Sequence, residues 1–281
     1  MKSDRLHIVN LRESGAKFPL YCFPGGGEGV SIFRDMVNCL PENRPVYGID
    51  FDKIYGTVTQ FTVEDLATSY LRIIRSNQEH GPYHFCGYSF GGIVAYEVAT
   101  LLEKEGEEVA LLAMLDTSNP ALRSALSPAA SLRFRKKYFA DRVKKYLRNF
   151  LLGNVDALKT DVSYFLSSKV VAIHWRLTRT IHRLFNQSMS PSFRHNAAML
   201  SAAWHAYIPP PYNQRIVIFR SERRGPEYDD HLTLGWNTCA IGGIDVHVVP
   251  GGHLNMLNKP YVSHLAERLT AYLEEGYQAE R

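Results

Sequence analysis

Short apolar runs alternate with amphipathic runs along most of the chain, which predicts alternating strands and helices. A run that is apolar throughout, such as Val109–Leu115, is typical of a strand buried on both faces of a parallel sheet. The alternation predicts an α/β fold with a mostly parallel, doubly wound sheet and right-handed crossovers. We predict a weakly alternating edge strand at Leu6–Leu11 and further strands at Leu20–Phe23, Val46–Phe51, Tyr83–Cys86, Val109–Leu115, Ile216–Phe219 and Val246–Val249.

Helical runs separate these strands. The segment Thr62–Asp65 begins an amphipathic helix that extends to about Gln78, and Ser31 is expected to cap an earlier helix that ends near Leu40. Two further helices are predicted at Ile93–Leu102 and Tyr261–Leu273.

The alternation of strand and helix is interrupted between Pro120 and Met199. This stretch contains helical runs without a convincing strand, and it lies between two predicted sheet strands. We therefore predict one catalytic domain, with a core at 1–119 and 200–281 and a helical lid inserted at 120–199.

Composition fits an ordinary globular protein. Of the 281 residues, 45% are hydrophobic and 21% are charged. No apolar run approaches the roughly 18 residues of a membrane span, and the start lacks the apolar region of a secretory signal, so we expect a cytoplasmic protein. The four cysteines are scattered without ligand-like spacing, which argues against a disulfide framework and against a zinc site.

Positive charge is concentrated in the predicted lid. Between Arg133 and Arg148, eight basic residues are accompanied by a single acidic one, Asp141. Such a run is either a solvated helix face or a docking surface for an acidic partner or a phosphate-bearing substrate arm. Nucleic acid is a weaker alternative, because the rest of the chain outside this stretch is net acidic.

The most informative motif is Gly87–Gly91, which joins a predicted strand to a predicted helix. This is the context of a nucleophile elbow, in which Ser89 sits at the tip of a strained turn and presents its hydroxyl outward. Small residues two positions before and after the serine are needed because larger side chains would clash. The amide of Phe90 and the start of the helix then face the negative charge that develops during acyl transfer.

A nucleophilic serine needs a base, and the base needs an orienting acid. His253 follows the predicted strand Val246–Val249 in a glycine-containing loop, at the edge where parallel strands end. We therefore predict His253 as the general base, with His231 as the one rival.

Two positions compete for the acid. Asp116 follows Val109–Leu115 directly, whereas Asp229 and Asp230 lie several residues after the strand Ile216–Phe219. Both choices satisfy the order serine, acid, histidine, so sequence order does not decide between them. Asp116 is preferred because it lies at the strand end itself.

These motifs together resemble the thioesterase domains of non-ribosomal peptide and polyketide synthases. The resemblance covers nearly the whole chain apart from the predicted lid, and it is carried by Phe23–Gly27, Gly87–Gly92, Asp116, Leu234–Trp236 and Pro250–His253. It implies an α/β-hydrolase fold, a triad of Ser89, Asp116 and His253, and an oxyanion hole from the backbone amides of Gly26 and Phe90.

The resemblance also implies a thioesterase that releases an acyl or peptidyl chain from the phosphopantetheine of a carrier protein, through an acyl-serine, by hydrolysis or cyclisation. No bound cofactor or metal is expected. Carrier proteins are usually acidic, which favours docking on the basic lid, and Arg135, Lys136 and Lys144 are the residues expected to contribute. The alternatives are a stand-alone editing thioesterase and a carboxylester hydrolase of the same fold. The acyl chain and the oligomeric state stay open.

Overall fold

The sheet has seven strands in the order β1-β3-β2-β4-β5-β6-β7. The computed structural model describes residues 7–26, 29–50, 61–121, 196–223 and 232–275. β1 runs antiparallel to β3 at one edge, and the other neighbouring strands are parallel. The mostly parallel α/β sheet predicted from the sequence is therefore confirmed. The strands are β1 His7–Arg12, β2 Leu20–Phe23, β3 Val46–Asp50, β4 Tyr83–Tyr88, β5 Val109–Leu115, β6 Ile216–Arg223 and β7 Ile244–Gly252.

Helices connect the strands and cover both faces of the sheet. Their bounds are α1 Arg34–Val37, α2 Val63–Asn77, α3 Phe90–Lys104, α4 Asn196–Ala206 and α5 Val262–Glu275. Because successive strand residues point to opposite faces, Tyr21 and Phe23 pack with α2 and α3, whereas Leu20 and Cys22 pack with α1 and α5. The two apolar layers hold the sheet between them and leave the carboxyl ends of the strands to carry the site.

The start of α2 follows local sequence chemistry. Thr62 caps the helix: its hydroxyl accepts the amide of Asp65, and the Asp65 carboxylate accepts the amide of Thr62. By contrast, the prediction that Ser31 caps a helix to Leu40 is wrong. Ser31 lies inside a 3-10 turn, Val30–Phe33, and the α-helix that follows is only one turn long. Val30, Phe33 and Met36 are buried at a spacing of three residues, which a 3-10 turn satisfies better than an α-helix.

The last two strands extend further than predicted. β6 continues to Arg223, and its pairing with β7 reaches Gly252, after an irregularity between Ser221 and Arg223. The segment Pro250–Gly252, predicted as a loop, is therefore strand. Pro250 is tolerated because β7 lies at the edge of the described sheet, where a missing amide breaks no ladder on the outer side.

Most of the predicted lid, 120–199, lies outside the described residues, so the domain boundaries stay a prediction. The structure describes this part of the chain again from Asn196, in α4, which leads back to the core. Among the described ranges, no helix is both long enough and apolar enough to cross a membrane.

Candidate active site

Ser89 occupies a sharp turn between β4 and α3. Its backbone has φ 53° and ψ −119°, a strained combination for a residue with a side chain. The flanking glycines make the turn possible: an ideal Cβ on Gly87 would lie 2.6 Å from the carbonyl oxygen of Gly91, and one on Gly91 would lie 2.5 Å from the carbonyl carbon of Phe23. The predicted elbow geometry is therefore present, and Gly91 lets α3 start against the end of β2.

Thr117, two residues after the end of β5, supports the same turn through a contact that the sequence does not reveal. Its hydroxyl donates to the carbonyl oxygen of Ser89 at 3.0 Å, and the amide of Ser89 donates to the carbonyl oxygen of Leu115 at 2.9 Å. Gly92 provides the space, because a Cβ there would lie 2.8 Å from the Cβ of Thr117. The backbone of Ser89 is thus bonded to both residues that flank Asp116.

Asp116 ends β5 as a buried carboxylate with φ 49°. Its amide donates to the carbonyl oxygen of Phe219 at 2.8 Å, and its Oδ1 accepts the amide of Ser221 at 2.8 Å. Its Oδ2 lies 2.7 Å from Nδ1 of His253. Both carboxylate oxygens are therefore engaged, one by β6 and the other by the histidine.

His253 follows β7 directly. Its side chain is 40% exposed, whereas that of Asp116 is fully buried. The turn after the strand is fixed by Asn255, whose Oδ1 accepts the amide of Gly252 at 2.7 Å, and by the positive φ of 97° at Gly251. The ring of Tyr88 stacks on the imidazole, with centroids 5.1 Å apart, and its hydroxyl donates to the carbonyl oxygen of His253.

The structure thus brings Asp116 and His253 into contact next to the turn that carries Ser89. The rivals Asp229, Asp230 and His231 lie outside the described residues, as do Arg135, Lys136 and Lys144. Tyr88 and Thr117 are the neighbours that sequence reasoning did not single out. No sequence signal marks these contacts, because each joins residues that are distant in the chain.

Gly26 and Phe90, the predicted oxyanion-hole residues, lie next to each other. A Cβ on Gly26 would be 3.6 Å from the Cβ of Phe90 and 3.4 Å from Cδ1 of Leu200. The positive end of the α3 dipole also lies here, since the helix starts at Phe90. The arrangement places two backbone segments and a helix N-terminus beside Ser89, with α4 packed against them.

The motif Leu234–Trp236 braces the turn after Asp116. Trp236 is buried, and its indole donates to the carbonyl oxygen of Thr117 at 2.8 Å. The amide of Asn119 donates to the carbonyl oxygen of Leu234 at 2.9 Å, and Leu234 and Gly235 have positive φ values of 52° and 85°. The motif therefore holds the chain that leaves β5.

A buried polar pair fixes the end of α4 to α3. The hydroxyl of Tyr207 donates to Oε2 of Glu97 at 2.6 Å. Burial raises the pKa of the Glu97 carboxyl above its ordinary value, and the bond from Tyr207 opposes that shift. Burial also raises the pKa of Tyr207, followed in size by the nearby Glu97 carboxylate. The tyrosine is therefore the donor at neutral pH, and the pair ties the chain after α4 to the core.

The described part of the chain holds no group of three or more histidine, cysteine, aspartate or glutamate side chains that could bind a metal ion.

The chemistry that Ser89, His253 and Asp116 can perform is acyl transfer. A half-buried serine lies at a helix N-terminus beside a histidine that is held by a buried carboxylate.

Comparisons with known proteins show which chains this one is similar to. A segment of Malpibaldin synthetase from Mortierella alpina is 41% identical over 112 residues, which is 40% of this chain and 2% of that protein. The Nonribosomal peptide synthetase atqA from Aspergillus terreus is 27% identical over 295 residues, or 95% of this chain and 29% of that protein. The chain therefore spans less than a third of either relative.

Among solved structures, the NocB thioesterase domain, in covalent complex with a fluorophosphonate nocardicin G analog, aligns with a TM-score of 0.62 at 19% identity. The alignment covers 94% of this chain and 97% of that one, and at this identity it shows a shared fold. A family model described as Thioesterase domain matches residues 18–273. Because that match spans nearly the whole chain, the protein belongs to the thioesterase domain family.

Proposed function

We propose that this thioesterase releases a polyketide or peptidyl chain from the phosphopantetheine arm of a carrier protein, through an acyl intermediate on Ser89. The observation that carries the proposal is the 2.7 Å contact between His253 Nδ1 and Asp116 Oδ2, beside an elbow that bears a serine. Asp116 is buried and accepts a backbone amide with its other oxygen. Its carboxylate is therefore held in place to orient an imidazole.

In the proposed first step, the Ser89 hydroxyl attacks the thioester carbonyl carbon and His253 accepts its proton. Asp116 holds the imidazole in the tautomer that carries hydrogen on Nδ1, and it stabilises the imidazolium that forms. The amides of Gly26 and Phe90 are proposed to bind the oxyanion. Collapse of the tetrahedral intermediate breaks the carbon–sulfur bond, His253 returns the proton to the departing pantetheine thiol, and an acyl ester on Ser89 remains.

The second step decides the product. If water attacks the ester with His253 as base, the product is a free acid, whereas an internal hydroxyl or amine of the acyl chain gives a ring. In both cases, the ester bond breaks and the proton removed from the nucleophile returns to the Ser89 oxygen. We propose that the segment 120–199 forms a lid over this reaction, because it lies between the strand that leads to Asp116 and helix α4 beside Gly26.

The carrier partner is part of the proposal. The relative from Aspergillus terreus is named a nonribosomal peptide synthetase, which supports a substrate tethered to such a carrier. We propose that the carrier is acidic and that it meets Arg135, Lys136 and Lys144, which lie in the basic stretch of the lid segment. The cytoplasmic location expected from the sequence belongs to the same proposal.

The test is intact-protein mass spectrometry of an acylated carrier protein incubated with this chain. The expected result is a mass increase on the chain, equal to the acyl group, that is absent in Ser89→Ala, together with loss of the acyl group from the carrier. The mass of the released product distinguishes a hydrolysed acid from a ring, which is lighter by one water. Unchanged carrier, with rapid cleavage of small oxygen esters, would instead indicate a carboxylester hydrolase. Preferential cleavage of short misprimed acyl groups would indicate an editing thioesterase.

A further inference from the structure

We propose that Tyr88 is a positioning residue that holds the imidazole of His253 for proton transfer. The inference rests on the proposed function, since it assigns Tyr88 a part in the same reaction. Tyr88 makes two different contacts with the histidine: its ring stacks on the imidazole at an interplanar angle of 25°, and its hydroxyl donates to the main-chain carbonyl oxygen. One contact fixes the ring, and the other fixes the backbone that carries it.

These contacts complement the bond from Asp116. A hydrogen bond at Nδ1 fixes one edge of the ring but leaves the ring able to tilt about that bond. A ring that stacks on one face opposes this tilt. The His253 side chain is 40% exposed, so solvent surrounds much of it.

The position of Tyr88 in the chain also links the base to the nucleophile. Tyr88 is the last residue of β4 and precedes Ser89, so the residue that contacts the base is covalently joined to the nucleophile. It is also almost fully buried, at 1% exposure. Because its side chain is buried and its backbone is fixed, Tyr88 holds the turn after β7 at a set distance from the elbow. Tyr88 therefore sets the separation of base and nucleophile, and a misplacement of about 1 Å can lower a rate by about 100-fold.

The same strand offers a matched control. Tyr83, at the opposite end of β4, is also buried, and its hydroxyl also donates to main-chain carbonyl oxygens, those of Glu79 at 2.8 Å and Gln78 at 3.2 Å. Removing its hydroxyl breaks the same kind of bond in the same strand, far from the reacting groups. Tyr83→Phe thus measures the general cost of such a deletion.

The experiment compares Tyr88→Phe, Tyr88→Leu and Tyr83→Phe in the full chain. Two rates are measured for each variant: turnover of an N-acetylcysteamine thioester, separated into kcat and KM, and covalent labelling of Ser89 by a fluorophosphonate probe. Labelling reports the reactivity of the serine without a contribution from acyl-chain binding. Thermal unfolding of each variant shows whether it is folded at the assay temperature.

We expect Tyr88→Phe to lower both kcat and the labelling rate by about fivefold, the value of one neutral hydrogen bond, with KM within about twofold of wild type. Tyr88→Leu should lower both rates by about 100-fold, so that the phenylalanine variant recovers much of the loss. Tyr83→Phe should leave both rates unchanged even if it lowers the melting temperature as much as Tyr88→Phe does.

The inference is overturned if Tyr88→Phe and Tyr83→Phe have the same rates, or if the Tyr88 variants change KM alone. The comparison of the two phenylalanine variants decides the matter even if Tyr88→Leu does not fold. Failure of the proposed function has a different signature, because the wild-type chain would then leave an acylated carrier unchanged, whatever the labelling rates of the Tyr88 variants. Normal labelling of wild type, with equal labelling of the Tyr88 variants, would count against Tyr88 alone.

Discussion

Gly92 and Thr117 are in contact across the space where α3 begins and β5 ends, and only a glycine fits there. A Cβ on Gly92 would lie 2.8 Å from the Cβ of Thr117, and closer still to its hydroxyl oxygen, which donates to the carbonyl oxygen of Ser89. The second glycine after the serine is therefore needed by the segment that follows β5 rather than by the turn itself.

This contact predicts the effect of Gly92→Ala. The added methyl group must displace Thr117, so we expect a loss of about 1–3 kcal/mol in the free energy of unfolding, as for an overpacked core. Thioester turnover should fall with it, because Thr117 also holds the backbone of Ser89. Denaturant unfolding measures the first effect, and kcat the second.

The control is Gly29→Ala, since a Cβ at Gly29 would meet no atom closer than Ser31 Oγ at 4.0 Å, and φ there is −85°. It should change stability by no more than about 0.5 kcal/mol. Equal stability of the two variants would show that Thr117 moves aside freely.

The second prediction concerns the reacting residues. Ser89→Ala and His253→Ala should each lower turnover by about 10⁴-fold or more, and Asp116→Asn by about 10³-fold or more, because an amide cannot fix the same tautomer. Steady-state kinetics with an N-acetylcysteamine thioester measures these losses, after circular dichroism has confirmed folding of the Asp116 variant.

Asp245→Asn is the matched control for Asp116→Asn. Asp245 is a partly buried carboxylate near the start of β7, paired with Arg215 at 2.7 Å and away from the site. It should leave turnover unchanged. A larger loss in Asp229→Asn or Asp230→Asn than in Asp116→Asn would move the acid to the segment after β6.

The third prediction is a pH dependence of stability that arises at the opposite end of the sheet. Burial, with a smaller contribution from the charge of Arg44, lowers the pKa of His84 to about 4. Between pH 6.5 and about 4, the unfolded chain binds a proton at this histidine while the folded chain does not. His84 therefore lowers the stability of the folded chain only below pH 6.5. The free energy of unfolding falls by about 3 kcal/mol as the pH decreases from 6.5 to 4.

Urea unfolding at pH 7 and at pH 4.5 measures this loss in wild type and in His84→Gln. The variant should show a shallower pH dependence, because it has no group to protonate at this position. His205→Gln, which changes an exposed histidine on α4, should retain the wild-type slope. Equal slopes in all three proteins would mean that His84 binds its proton in the folded state as readily as in the unfolded chain.

The fourth prediction concerns the basic stretch of the lid segment. Reversing Arg135, Lys136 and Lys144 to Glu should raise KM for a carrier-bound substrate and leave turnover of the short thioester nearly unchanged. Each exposed charge should contribute about 1 kcal/mol or less, and the effect should shrink as salt is added. Equal losses on both substrates would indicate a role in folding or in the acyl cavity, and no loss on either would indicate a solvated helix face.

Much of the fold follows from local sequence, and the reason is visible in particular elements. β2 and β5 have the predicted bounds because each is a short, continuous apolar run. Such a run fits a strand that is buried on both faces of a parallel sheet. Thr62 and Asp65 satisfy each other's backbone amides, so the start of α2 needs no distant contact. The ends of β6 and β7 were missed because they depend on each other: the ladder between Ser221 and Val249 continues through Pro250 and Gly251, where local preference indicates a loop.

In the site, too, some residues are predictable from local sequence and some contacts are not. Ser89 and Asp116 are marked by the strands that they follow, since parallel strands end at one edge of the sheet. The contacts of Tyr88 and Thr117 could not be predicted, because they join residues that are 165 and 28 positions apart in the chain and meet only in the folded protein. His253 was predicted in a loosened loop, but it directly follows a strand, which holds it more firmly.

The positive φ angles of Ser89, Asp116 and Leu234 have a consequence for the evolution and engineering of this protein. All three are residues with side chains in a backbone region that favours glycine, and they lie on connected turns at one end of the sheet. Each costs about 1–3 kcal/mol, so the active chain is less stable than its fold allows. Glycine at positions 89 and 116 would release that strain, and under the proposed mechanism it would also abolish the reaction. Selection for thermal tolerance alone would therefore favour inactive variants, and gains in stability that preserve activity must come from elsewhere in the sheet.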